Sequence, residues 1–313
     1  MPNLLSRRLV GFDIIGSKVY QAVGEYFFGK IKIKELREYN GDFEFEVDDL
    51  IIVNIPWDLI LNLNLQMPMI KKRKDIENYI VLEVSQNFNL ESSEFSFDFL
   101  KTSNGLEVFV VRKADLNEYF HKLESMKIPE PDIVYPDFFK ESLLLSKFPG
   151  YNIEFFINSE YSGLIILNGS NIESVRYSEL SLKYLNDLCN DEFGYNLYEV
   201  EDLDDEALKE DVSRFLYNFL GDMFSLIERE IFVSLNSSQK QLTIEDIQSG
   251  FVYTDSELVN KLIFEHYTDS EIFNKIFTAR NFKYPVIKPK YLGSLGLITR
   301  GGFEFGKFKF IQR

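Results

Sequence analysis

Cysteine, histidine and tryptophan are scarce: the 313 residues hold one Cys, two His and one Trp. A lone Cys189 cannot form an internal disulfide, and without a nearby His it reads as a small buried hydrophobe. His121 and His266 each stand without Cys or acid at ligand spacing, which argues against a histidine metal site or acid–base pair. No run approaches the 18 apolar residues that a membrane-crossing helix needs. Met1–Arg8 lacks the apolar core and cleavage site of a signal peptide. Basic charge is short as well. Lys and Arg number 34 against 50 Asp and Glu, a net charge of −16 that disfavours nucleic acid as a partner. These absences fit the cytosol.

What is present suffices for a core: 45% of the residues are hydrophobic, including 30 Phe and 17 Tyr, and the length allows two domains. Charge is unevenly spread. Residues 199–211 carry eight acids and one lysine, which reads as a solvated acidic loop. Residues 280–313 carry eight basic residues and one acid, Glu304, which reads as a basic strand pair or as a face toward anionic lipid. Lys71–Lys74 places four cations at a helix start, against the macrodipole. Either Asp75 and Glu77 screen them, or the corner docks an acidic partner or membrane.

The first 55 residues read as strands at 9–14, 18–26, 29–39 and 50–55, the last ending on Pro56. A strand at 61–67, a helix at 71–88, two strands joined at Asn104-Gly105 and a helix at 115–126 form a strand–helix–strand–strand–helix module. Pro129, Pro131 and Pro136 mark a rigid connection into a short helix near 138–145. After Pro149-Gly150 the opening grammar returns, with strands at 152–158, 162–167 and 172–177, so the halves look duplicated. A long amphipathic helix spans 212–235, followed by a strand at 250–254 and a helix at 257–265. Small residues at helical spacing in 291–298 suit packing on a sheet, and Phe303–Phe310 alternates like a strand. The domains are accordingly 1–150, with an inserted small α/β subdomain at about 56–128, and 151–313, with a helical and acidic subdomain at about 180–245.

Four stretches, in order over nearly the whole chain, carry a resemblance. They are Leu5–Asp13 (LSRRLVGFD); Ile52–Pro56 with Leu65–Pro68 and the helix reaching Tyr79 and Glu83; Val108–Val111 through Tyr135-Pro136-Asp137; and Gly293–Arg300 (GSLGLITR). They resemble the actin-like family, and more narrowly the PilM scaffolds of type IV pili and the GspL cytoplasmic region of type II secretion. The resemblance implies an α/β fold: actin-like (ribonuclease H-like), bilobal, with an inserted FtsA-like subdomain. Its first phosphate loop, "DIGSSS", falls on Asp13-Ile14-Ile15-Gly16-Ser17-Lys18, so Asp13, Gly16, Ser17 and Lys18 are the nucleotide-site candidates. Ile15 replaces a glycine there, although a one-residue slip keeps Gly16-Ser17 in the role. The second phosphate loop falls on Phe156–Glu160 and the adenosine loop on Thr254–Glu257, both without their glycines. Asp137 survives beside the position of a third acid.

These losses imply no catalytic residue, no metal site and no resident cofactor, with ATP and Mg²⁺ not expected to be turned over. Asp13 is then a vestige, a Mg²⁺-associated residue or a cap of its turn. The function implied is a non-catalytic scaffold at the cytoplasmic face of an inner membrane, linking a PilN-like or GspL/GspM-like membrane protein to a motor ATPase. A homo-oligomer is compatible with it. The partner groove would form around Trp57, Tyr79 and Glu83, although Trp57 reads equally as core. The alternatives are an ATP-binding kinase-like enzyme of the same superfold and an FtsA-like filament former, which wants a C-terminal amphipathic helix.

Overall fold

A computed structural model describes residues 6–310 except 17, 70–71, 103–104, 146–148, 170, 179, 238–240 and 267–288. The chain divides into two compact units, Met1–Leu144 with Gly293–Arg313, and Leu145–Leu292.

In the first unit, β1 (Ser6–Ile15), β2 (Lys18–Phe27) and β3 (Lys30–Glu38) form an antiparallel meander. Next to β1 runs β4 (Leu50–Ile55), parallel to it, and then β8 (Ile133–Pro136), giving the order β3-β2-β1-β4-β8. All six residues of β4 are buried, the mark of a strand covered on both faces. The inserted module holds β5 (Leu61–Leu65), α1 (Arg73–Phe88), β6 (Phe95–Thr102) and β7 (Gly105–Arg112), in sheet order β5-β7-β6. Its core is Ile76, Ile80 and Val84 of α1 against Phe95, Leu106, Val108 and Val110. At the basic start of α1, Arg73 pairs with Glu77 at 2.8 Å and lies over Phe99, so screening of that charge is visible there.

The sequence groups the next helix, α2 (Lys113–Ser125), with the module. Its buried Tyr119 and Leu123 instead join Val10, Phe12 and Val53 in the core of the five-stranded sheet. Burial of those two side chains makes α2 the crossover that returns the chain to β8. A 3₁₀ turn at Asp137–Phe139 and α3 (Ser142–Leu145) follow.

The second unit repeats the grammar. Its strands β9 (Tyr151–Ile157), β10 (Ser162–Asn168) and β11 (Asn171–Ser178) are an antiparallel meander, and β12 (Ile247–Thr254) runs parallel to β9. The order β11-β10-β9-β12 matches β3-β2-β1-β4. Helices α4 (Lys183–Phe193), α5 (Leu197–Asp202), α6 (Glu206–Ser237) and α7 (Glu257–His266) cover it, with Leu216, Leu220, Ile227 and Ile231 of α6 in the core.

Three expectations are corrected. The acidic stretch 199–211 is not a loop: it spans α5 and the first turns of α6. Asn196 and Glu199 form a capping box, and Asp205 accepts the Leu208 amide, so the acids sit where helix N-termini favour them. The tail does not alternate as a strand; α8 (Leu292–Phe310) is a helix. From Gly293 on it belongs to the first unit and not to the second domain, because Leu297 and Ile298 are buried against β1, where Gly11 leaves room for them. The expected basic strand pair falls partly on 267–288, outside the described residues. Among the described residues no helix is long and apolar enough to cross a membrane.

Candidate functional site

The parallel strands β1, β4 and β8 end together, and in open α/β sheets that carboxyl edge is where ligands bind. Here the edge is filled by side chains of the chain itself. Asp13 of β1 is 1% exposed. Its Oδ1 accepts a hydrogen bond from Lys140 Nζ at 2.7 Å. The same ammonium donates to Asp137 Oδ1 and lies 3.7 Å from Glu141 Oε1. Asp137 and Lys140 share one side of a helical turn by their spacing of three. Asn54 at the end of β4 ties the frame: its Oδ1 accepts the Ile14 amide at 2.8 Å, and its Nδ2 donates to Ile14 O and Asp137 Oδ1, both at 3.0 Å. Tyr119 closes the layer beneath by donating to Asn54 O at 2.7 Å. Burial drives its phenol well above the ordinary range.

α8 caps this cluster closely. A Cβ on Gly293 would lie 1.9 Å from Asp13 Oδ2, and one on Gly296 would lie 1.7 Å from Lys140 O. The carboxylates of Asp13 and Asp137 are thus paired with an ammonium, and α8 packs closely over Asp13. Among the described residues no group of three His, Cys, Asp or Glu is placed to hold a metal.

Burial raises the Asp13 carboxyl to about 6, against the pull of Lys140. For Lys140 burial lowers the pKa, but Asp13, Asp137 and Glu141 outweigh it and hold the ammonium well above its usual value. Both groups are therefore charged at pH 7. Between about pH 4 and 6 the folded state holds the Asp13 proton that the unfolded chain has lost, so this group's contribution to stability falls as pH rises. Urea unfolding of wild type and Asp13→Asn should show the wild type's relative stability declining from pH 4 to 6 and levelling above 6.5. A difference that grows across that window would contradict the assignment.

Of the other first-loop residues, Gly16 adopts φ +61° at the β1–β2 hairpin tip, with open space around it. Lys18 begins β2 opposite Ile15, and Ser17 lies outside the described residues. In the second unit, the segment assigned to the other phosphate loop is closed by side chains. Asn158 Oδ1 accepts the amides of Glu160 and Tyr161, both at 2.9 Å, an Asx turn. The Ser159 amide donates to Asp255 Oδ2 at 3.3 Å, and Tyr198 donates to Asp255 Oδ1 at 2.9 Å. The amides of Ser159, Glu160 and Tyr161 are thus bonded to side chains of the same unit. Cys189 is fully buried in that unit's core, which raises its thiol to about 11. His121 is exposed on α2 with Glu124 Oε2 3.7 Å from its Nδ1, so an acid does stand three residues from it, contrary to expectation.

Among solved structures, the chain matches one described as the "PilM-PilN type IV pilus biogenesis complex", with a TM-score of 0.64 at 15% identity over 94% of this chain and 98% of that one. The fold is actin-like. MreB 5 of Spiroplasma citri, solved with AMPPNP, matches at TM-score 0.43 and 12% identity over 97% of both chains. The cytoplasmic domain of EpsL, from the type II secretion system of Vibrio cholerae, matches at 0.37 and 10% over 60% of this chain and 77% of that one. No protein-family model matches the chain, and no curated protein does.

Within the actin-like first unit, Trp57 and Tyr79 of the expected groove pack on different partners. Trp57 packs on Phe138 at 4.7 Å and Phe109 at 6.1 Å, whereas Tyr79 leans on the module core. Glu83 lies half-buried farther along α1. A groove of about 220 Å³ lies between β6 and β8 and is lined by Phe97, Phe99, Tyr135 and Phe139, with Asp98 and Arg300 among its polar groups. Trp57, Tyr79 and Glu83 do not line it. Arg300 of α8 sits over the Tyr135 ring at 5.7 Å. In the sequence, the Phe95–Phe99 alternation puts three aromatics on one face of an edge strand, the face that packs on the module core.

Proposed function

We propose that this protein is a non-catalytic scaffold at the cytoplasmic face of an inner membrane, in a type IV pilus or type II secretion assembly. It joins a membrane-anchored partner to the motor ATPase. The observation that carries the reading is Lys140, whose ammonium stands between Asp13 and Asp137 where an actin-like ATPase would keep its carboxylates for a hydrated cation. Asp255 on the Ser159 amide supports it from the other unit, an internal anion in place of a phosphate. End-to-end likeness to the PilM of a PilM–PilN complex supports the choice of machine. The partner's site is the β6–β8 groove. Both flanking strands are sheet edges, and the aromatic walls with Arg300 suit an extended apolar segment that carries an acid.

A second reading, an ATP-binding member of the fold, is favoured by a recess of about 740 Å³ in the second unit lined by Glu201, Lys209, Arg214, Glu257 and Lys261. Calorimetry separates the two. The probes are Mg-ATP and the N-terminal peptide of a PilN-like membrane protein. The scaffold reading expects no heat or turnover with Mg-ATP, saturable binding of the peptide, and about tenfold weaker binding in Phe99→Ala, the scale of one apolar anchor. Micromolar ATP binding with turnover would overturn it.

A further inference from the structure

The β2–β3 hairpin carries a feature that neither the fold nor the internal cluster uses. Its tip is Phe27-Phe28-Gly29. Phe27 is 51% and Phe28 66% exposed, and their rings meet edge to face at 4.5 Å. Phe28 sits at φ +44°, a backbone region where Gly or Asn is favoured and a bulky ring is uncommon. The turn would be easier to form, and more soluble, with other residues in both places.

Immediately after the tip, Lys30, Lys32 and Lys34 alternate along β3, so they share one face of the edge strand. Phe27 pairs with Lys30 and Glu25 with Lys32 in the register, which puts Phe27 and Glu25 on that face too. Glu25 bonds Lys34 at 2.7 Å, leaving a surplus of two positive charges in a chain whose net charge is −16. Lysines on an edge strand also deter strand addition. That role explains the lysines but asks for a polar tip, not two exposed phenylalanines.

We infer that the β2–β3 hairpin is a contact for an anionic lipid surface, with Phe27 and Phe28 entering the headgroup boundary and Lys30 and Lys32 meeting lipid phosphates. Aromatic side chains at a projecting tip, flanked by cations, are what interfacial binding requires. The local positive sign selects anionic over neutral lipid. The inference rests on the membrane-proximal placement proposed above.

Vesicle co-sedimentation tests it, with full-length protein on phosphatidylcholine vesicles and on the same vesicles mixed with phosphatidylglycerol. Two double variants are compared, Phe27→Ser/Phe28→Asn, whose Asn suits the positive φ, and Lys30→Gln/Lys32→Gln. Wild type should bind the mixed vesicles and not the neutral ones, and each double variant should bind about tenfold more weakly. Equal binding to both vesicle types, no binding by wild type, or variants that sediment like wild type would overturn the inference. So would variants that lose the calorimetric peptide while wild type ignores vesicles, which would assign the tip to a protein contact. Wild type that binds the peptide but no vesicle sinks this inference and leaves the scaffold reading standing. ATP turnover with intact vesicle binding does the reverse.

Discussion

Lys140→Met should remove about 3–5 kcal/mol of folding stability at pH 7, read as a lower urea midpoint. Lys140 is 6% exposed and Asp13 1%, so no water can replace the lost ammonium in place. Most of the loss is the charge left on Asp13 and Asp137, not the net worth of the pair. The double variant Lys140→Met/Asp13→Asn should therefore recover part of it, because one stranded charge is gone. Lys140→Ala carries a sharper readout. With the stem removed as well, two carboxylates face a space, and millimolar Mg²⁺ should raise its melting temperature while leaving wild type unchanged. A loss below about 1 kcal/mol in Lys140→Met would show that these carboxyls fold without their counter-ion.

Gly296→Ala should cost about 3 kcal/mol or more, near the upper end for forcing a methyl into a packed site. The added Cβ would lie 1.7 Å from Lys140 O and 2.5 Å from its carbonyl carbon. The obstacle is backbone, which cannot rotate aside as a side-chain end can. The helix α8 must lift from the sheet, and limited proteolysis should cut it sooner than in wild type. Gly221→Ala is the matched control. That glycine lies within α6 with no heavy atom within 4 Å of the added Cβ, so the change should stabilise by about 0.5–1 kcal/mol. Opposite signs from the same chemical change would place the effect in the close approach of α8, not in glycine loss as such.

Much of the architecture was readable because local signals agreed with it. The strands β1, β2 and β4 announce themselves by apolar runs punctuated by Gly16, Gly29 and Pro56, and β9–β11 repeat the pattern after Gly150. The elements that escaped had signals pointing elsewhere. Acids at 199–211 look like a solvated loop until Asn196 and Asp205 are seen capping helices. Three prolines between 129 and 136 hide the short edge strand β8, which tolerates Pro136 as its last residue. The alternating Phe residues of the tail mimic a strand, although the small residues at helical spacing before them already pointed to a helix.

The site divides the same way. Asp13 was legible from its strand-end position, and its meaning was not, since its partner lies 127 residues away. Lys140 is an ordinary lysine until the fold places it at the carboxyl edge. Trp57, Tyr79 and Glu83 were grouped as one groove by the family resemblance, and the fold gives Trp57 its partner in Phe138 and Tyr79 its partners in the module core.

Lys140 and the lysines of β3 also differ in how ionic strength reaches them. At 0.1 M salt exposed charges are screened over about 10 Å, whereas a buried ion pair is screened far less. The joint at Asp13 should therefore hold from dilute buffer to high salt, while contacts made through Lys30 and Lys32 should fade over the same range. One unit would then keep a constant shape while its surface attachments respond to the electrolyte around it.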